Sequence, residues 1–93
     1  MKTKAEWSVL ARQYGVPEHC VDGLAGYLSG DYKRPGGFLT AVLSNDLFGA
    51  FGKADETNML AIRTYVLFLY NEAPGGSYGS PEHVNDWLTR GEI

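Results

Sequence analysis

The sequence predicts an all-α domain, a compact bundle of about five short helices around a central hydrophobic helix at about residues 55–72. Three observations carry that expectation. Apolar residues recur at intervals of three and four in every segment, and no segment shows the alternation rich in β-branched residues that marks a strand. Glycine and proline stand between the segments, at Gly15, Gly30, Pro35-Gly36-Gly37, Gly52 and Pro74-Gly75-Gly76, where helices start and stop. Asp55 and Ser80 stand where helix-capping residues are needed.

The elements follow in order. Lys4 to Tyr14 places Trp7, Leu10, Ala11 and Tyr14 on one helical face, and Gly15 supplies a left-handed stop. The second helix opens at Pro17, suited to a first helical position, and carries Val21, Leu24, Tyr27 and Leu28 before Gly30. A third runs from about Gly37 to Phe51 and ends at Gly52. The fourth follows Asp55 and reaches about Glu72, where Pro74 forbids continuation. Ten of the fourteen residues from Met59 to Glu72 are apolar, so this helix must be covered on most sides, by its neighbours or by another subunit. Monomer and homo-oligomer both satisfy that demand, with the oligomer favoured. The fifth helix has Ser80 as cap, Pro81 next, Val84, Trp87 and Leu88 as its buried stripe, and Gly91 as its stop. Trp7, Leu24, Leu43, Val66, Phe68 and Trp87 are expected in one core.

Composition bounds the function. Ninety-three residues make one domain, 1–93, without repeats or low-complexity tracts. At 44% apolar with a net charge of −3, the chain is too apolar to be disordered. Eight basic against eleven acidic residues do not suit a protein that grips a nucleic-acid backbone. The single Cys20 forms no internal disulfide and completes no thiolate metal cluster, which points to a reducing, cytoplasmic compartment. The Met1-Lys2-Thr3-Lys4 start lacks the apolar run of a secretory leader. Met59 to Tyr70 contains Arg63 and is far short of the roughly 20 apolar residues that span a membrane, so no membrane role is expected.

Asp22-Gly23-Leu24, Tyr27-Leu28 and the block Pro35-Gly36-Gly37-Phe38-Leu39-Thr40-Ala41-Val42-Leu43-Ser44-Asn45-Asp46-Leu47 give the chain a family likeness, extended by Gly52, Ala54-Asp55, Asn58, Leu69-Tyr70-Asn71-Glu72-Ala73-Pro74 and Gly79-Ser80-Pro81-Glu82. Over about residues 16–88 the chain resembles a family of small tailed-phage and prophage proteins. Ser77-Tyr78 stands where the family pattern has Cys-Trp, which removes any thiol role from that loop. The family has no assigned activity, so no functional residue is carried over. The resemblance implies a phage origin, the host bacterial cytosol as workplace, and action by binding a host factor.

Four constellations bear on chemistry. Tyr32-Lys33-Arg34 precede Gly36-Gly37 at the start of the third helix, where bare backbone and two cations suit a phosphate and Tyr32 suits a base. A second loop, Pro74 to Gly79 with Ser77 and Tyr78, also runs into a helix start, and the two together would frame one anion pocket. The plainer reading, two solvated cations on a helix-starting turn, is preferred. Asn45, Asp46 and Arg63 fall within apolar stripes on their helical wheels; an Asp46–Arg63 ion pair joining two central helices, with Glu56 as a competing partner, is the expected reason, and a polar ligand or partner contact is the alternative. Leu10 to Leu24 has helix-turn-helix spacing, but its second helix carries Glu18 and Asp22 and no Lys or Arg, so direct DNA binding is not expected. Catalysis has little support: His19 and His83 show no metal-ligand spacing, and Ser77, His83 and Asp86 lack the strand-turn-helix elbow of a triad.

The function these readings favour is a non-enzymatic binding protein, without metal or cofactor, that inhibits or sequesters a host factor in counter-defence. The acidic side chains Glu18, Asp31, Glu82, Asp86 and Glu92 suit a basic host protein. A sponge for a nucleotide signal, using the glycine loops, is the alternative, and a helix-turn-helix regulator the third.

Overall fold

Thr3 starts the first helix by a reciprocal exchange: its hydroxyl accepts from the Glu6 N–H at 3.1 Å, and the Glu6 carboxylate accepts from the Thr3 N–H at 3.0 Å. In the computed structural model, which describes residues 2–31 and 33–90, seven α-helices follow. They are α1 (Lys4–Tyr14), α2 (Glu18–Ser29), α3 (Gly37–Leu43), α4 (Leu47–Lys53), α5 (Glu56–Leu60), α6 (Ile62–Glu72) and α7 (Pro81–Thr89), with one 3-10 turn at Gly75–Ser77. The all-α expectation holds, and among the described residues no helix is long and apolar enough to cross a membrane. The expected stop at Gly91 lies outside the described residues.

Two expected helices are each split, for local reasons. The third breaks at Ser44-Asn45-Asp46. Asn45 takes a left-handed φ of 62°, its N–H reaches the Val42 carbonyl at 3.1 Å, and the Asp46 N–H reaches that of Ala41 at 2.9 Å. That is a Schellman stop built on asparagine. Asp46 then caps α4, its carboxylate accepting from the Gly49 N–H at 2.9 Å. The fourth breaks at Ala61, whose N–H turns back to the Asn58 carbonyl at 3.0 Å, next to the point where the Asn58 side chain is drawn inward.

The core lies between α1, α2, α3, α6 and α7. Phe68 forms T-shaped pairs with Trp7 and Tyr14 at centroid distances of 6.0 and 5.4 Å, which packs α1 on α6. The Trp87 indole N–H donates to the Tyr27 carbonyl at 2.7 Å, and the Tyr27 hydroxyl donates to the Ser77 carbonyl at 2.7 Å. These bonds hold α7 and the 3-10 turn on α2. The helix that buries the most residues is α2, where Cys20, Val21, Leu24, Ala25, Tyr27 and Leu28 are all buried. The segment expected at the centre, residues 55–72, buries Asn58, Tyr65, Phe68 and Leu69 and leaves its outer side open. Val66, expected in the core with Trp7, Leu24, Leu43, Phe68 and Trp87, is 53% exposed while the other five are buried. Val66 stands two residues from Phe68 on α6, about 200° around the helix, so the orientation that buries Phe68 turns Val66 outward.

Candidate functional site

The glycine-loop residues separate. Tyr32 lies outside the described residues. Lys33 and Arg34 are exposed and border a recess of about 240 Å³ that also contains Asp22 and Asp31, carboxylates that oppose an anion. Arg34 donates to Asn85 Oδ1 at 2.8 Å. Gly36 and Gly37 border a different recess, beside His19, Cys20 and Phe38, and the Lys53 stem crosses Gly37 closely enough that a Cβ there would lie 3.3 Å from Lys53 Cδ. Ser77 is fully buried; its hydroxyl donates to the Pro74 carbonyl at 2.6 Å and its carbonyl receives Tyr27. Tyr78 lines an apolar groove on another side. The two loops therefore carry structural contacts of their own rather than converging on one pocket.

The expected polar core of Asn45, Asp46 and Arg63 is corrected: all three are exposed, and among the described residues no ion pair joins Asp46 to Arg63. Asp46 fell in an apolar stripe only on the wheel of an unbroken helix; as a cap it sits at the surface. The second helix of the helix-turn-helix spacing is α2, largely buried, whose exposed positions include Glu18, His19 and Asp22. Glu18 is held by Arg12 through contacts of 2.8–3.2 Å, and that guanidinium keeps its carboxyl below the usual range. Of the other acidic side chains, Asp31 lies 3.8 Å from Lys4 Nζ, Glu82 and Asp86 are exposed on α7, and Glu92 lies outside the described residues.

A buried polar cluster was missed by sequence reasoning. Asn58, 4% exposed, accepts from the Tyr65 hydroxyl at 2.7 Å and lies 3.5–3.6 Å from Cys20 Sγ. Burial, with Cys20 and Asp55 adding to it, holds the Tyr65 phenol neutral far above its ordinary range. Asp55 caps α5 by accepting from the Asn58 N–H at 2.7 Å, and its other oxygen lies 3.1 Å from His19 Nε2. Every member has a partner, so the cluster locks α5 and α6 onto α2. Among the described residues no three His, Cys, Asp or Glu side chains gather as a metal site requires.

With α5 and α6 fixed, an apolar face turns outward. On α4, Leu47 is 61%, Phe48 89% and Phe51 49% exposed; on α5, Met59 is 47% and Leu60 83%; on α6, Val66 is 53% and Tyr70 76%. Leu47 lines a small recess with Ile62 and Val66, so α4 and α6 meet there. Val42, Asn45 and Val66 are shared with a neighbouring groove of about 230 Å³, completed by Leu69, Tyr70 and Tyr78. The largest apolar patch of an ordinary monomer is roughly 300–600 Å². These seven side chains together expose on the order of 800 Å², taking about 200 Å² for each aromatic ring residue. The signal for this face was present in the sequence as Asn45-Asp46, a stop followed by a cap, which turns Leu47, Phe48 and Phe51 onto a separate helix.

Compared with protein-family models, with curated proteins and with solved structures, the chain matches none.

Proposed function

We propose that this protein is a non-enzymatic binding module that docks its α4–α6 face onto a host factor in the bacterial cytosol and inhibits or sequesters it. The carrying observation is the exposure of Leu47, Phe48, Phe51, Met59, Leu60, Val66 and Tyr70 on three consecutive helices. Large apolar side chains left in water favour association, at roughly 25 cal/mol per Å² removed from water, and aromatic residues on such a face act as binding anchors. The paired and capped polar groups elsewhere hold the helices in place and leave this face as the surface that gains most from a partner. The phage-family resemblance supplies the host setting of the proposal.

The test is affinity capture from host lysate, read by native mass spectrometry that retains small ligands, with wild type and Phe48→Asp side by side. The expected result is one host protein held at a fixed ratio by the wild type and lost with Phe48→Asp, whose far-UV circular dichroism is unchanged. Equal retention by both proteins, or retention of a nucleotide in place of a protein, overturns the proposal.

A further inference from the structure

We propose that the α4–α6 face is self-complementary and that, until a host factor displaces it, its occupant is a second copy of this chain. The inference rests on the docking reading above and names what covers the face at rest.

Shape is the first argument. Phe48 is 89% exposed and follows Leu47, which lines the recess that shares Val42, Asn45 and Val66 with the groove of about 230 Å³ bordered also by Tyr70 and Tyr78. An apolar cavity of about 150 Å³ already takes up benzene, so this groove has room for a phenylalanine ring. In a two-fold interface whatever one copy inserts the other inserts too. A knob and a hole on one face therefore fill each other twice.

Area is the second. The exposed apolar side chains offer on the order of 800 Å² per copy, which matches the roughly 800 Å² per partner of a standard stable interface.

Charge is the third. On these helices and their caps, Asp55 is bonded to His19 and Glu72 accepts from the Tyr14 hydroxyl at 2.6 Å; the remaining ionised side chains are Asp46 and Glu56 of one sign and Lys53 and Arg63 of the other. Two of each sign make this rim neutral, although the whole chain carries −3. A strongly basic or acidic partner would be better served by a rim of a single sign, whereas a balanced rim meets its own copy without net repulsion. Pairing of copies and docking of a host factor then compete by mass action for the same side chains.

Sedimentation velocity over a dilution series from low to high micromolar tests this, with wild type, Phe48→Asp on α4, Tyr70→Ser on α6 and Val9→Asp as a control on α1. The expected result is a wild type and Val9→Asp that pass from monomer to dimer with concentration, while Phe48→Asp and Tyr70→Ser stay monomeric at least tenfold higher. Both face variants alter side chains already exposed to water, and unchanged circular dichroism in either one suffices for the comparison. A wild type that is monomeric throughout overturns the self-pairing; if Phe48→Asp still loses the host protein in the capture experiment, the docking reading survives that failure. Dimers of equal strength in wild type and both face variants place the contact elsewhere and likewise overturn it.

Discussion

Tyr65 donates its hydroxyl proton to Asn58 Oδ1 at 2.7 Å, joining α6 to α5 across the break at Ala61, with both side chains buried. The bond fixes the direction in which the open face of α5 and α6 points. Asn58→Ala leaves the Tyr65 hydroxyl buried without its acceptor and is expected to cost about 1–3 kcal/mol. Tyr65→Phe removes the donor, so the double variant costs less than the sum of the two. Urea unfolding of the four proteins reads the coupling, and strict additivity would show that the bond is not formed.

The two tryptophans should respond differently to loss of the indole nitrogen. Trp87 Nε1 donates to the Tyr27 carbonyl at 2.7 Å, whereas buried Trp7 Nε1 has no partner among the described residues. Trp87→Phe therefore leaves the Tyr27 carbonyl with only the long 3.4 Å bond from the Gly30 N–H, a loss that Trp7→Phe does not cause. The former should be the more destabilising by about 1 kcal/mol or more, measured as the shift in urea midpoint. The reverse order would contradict the packing of α7 on α2.

Leu43 and Val66 separate core from face. Leu43 is fully buried, and Leu43→Ala should cost about 2–5 kcal/mol. Val66→Ala should change stability by no more than about 0.5 kcal/mol in dilute solution, because Val66 is 53% exposed. Thermal melts of the pair check this, and equal losses would return Val66 to the core.

Alkali should unfold the domain through its buried phenols. Burial pushes Tyr27 up from the ordinary 10.0 to about 12, and Tyr65 moves in the same direction. Between those two values the unfolded chain has released a proton that the folded chain keeps, so stability falls as pH rises. The contribution is whole below pH 10 and is lost as pH passes through about 12. The urea midpoint followed upward from neutral pH should drop in that window, and less steeply in Tyr27→Phe. A level midpoint through the window would show both phenols reaching water.

The helix class and most of the core were legible because capping and period are local: the Gly15 stop, the Ser80-Pro81 start and the stripe of Val84, Trp87 and Leu88 all stand as expected. The centre of the bundle was not. Apolar content singled out residues 55–72, but α2, with small residues such as Ala25 and Gly26 buried, allows closer approach and buries the most residues. Asp46 misled for a related reason. A wheel assumes an unbroken helix, and the Asn45 stop moved every later side chain to a different face. The Cys20–Asn58–Tyr65 cluster depends on a contact between residues 38 positions apart, which no local spacing announces. Ser77 looked like a loop ligand and is instead the acceptor that Tyr27 needs.

The central claim is that the α4–α6 face is the working surface of this protein. Hydroxyl-radical footprinting measures its cover directly, since Phe48, Met59 and Tyr70 are oxidisable and lie on it, while exposed His83 on α7 serves as an internal reference. Oxidation of the three is expected to be high in dilute protein and to fall several-fold on concentration or on addition of host lysate, with His83 unchanged. Equal oxidation of Phe48, Met59 and Tyr70 under all three conditions would contradict the account.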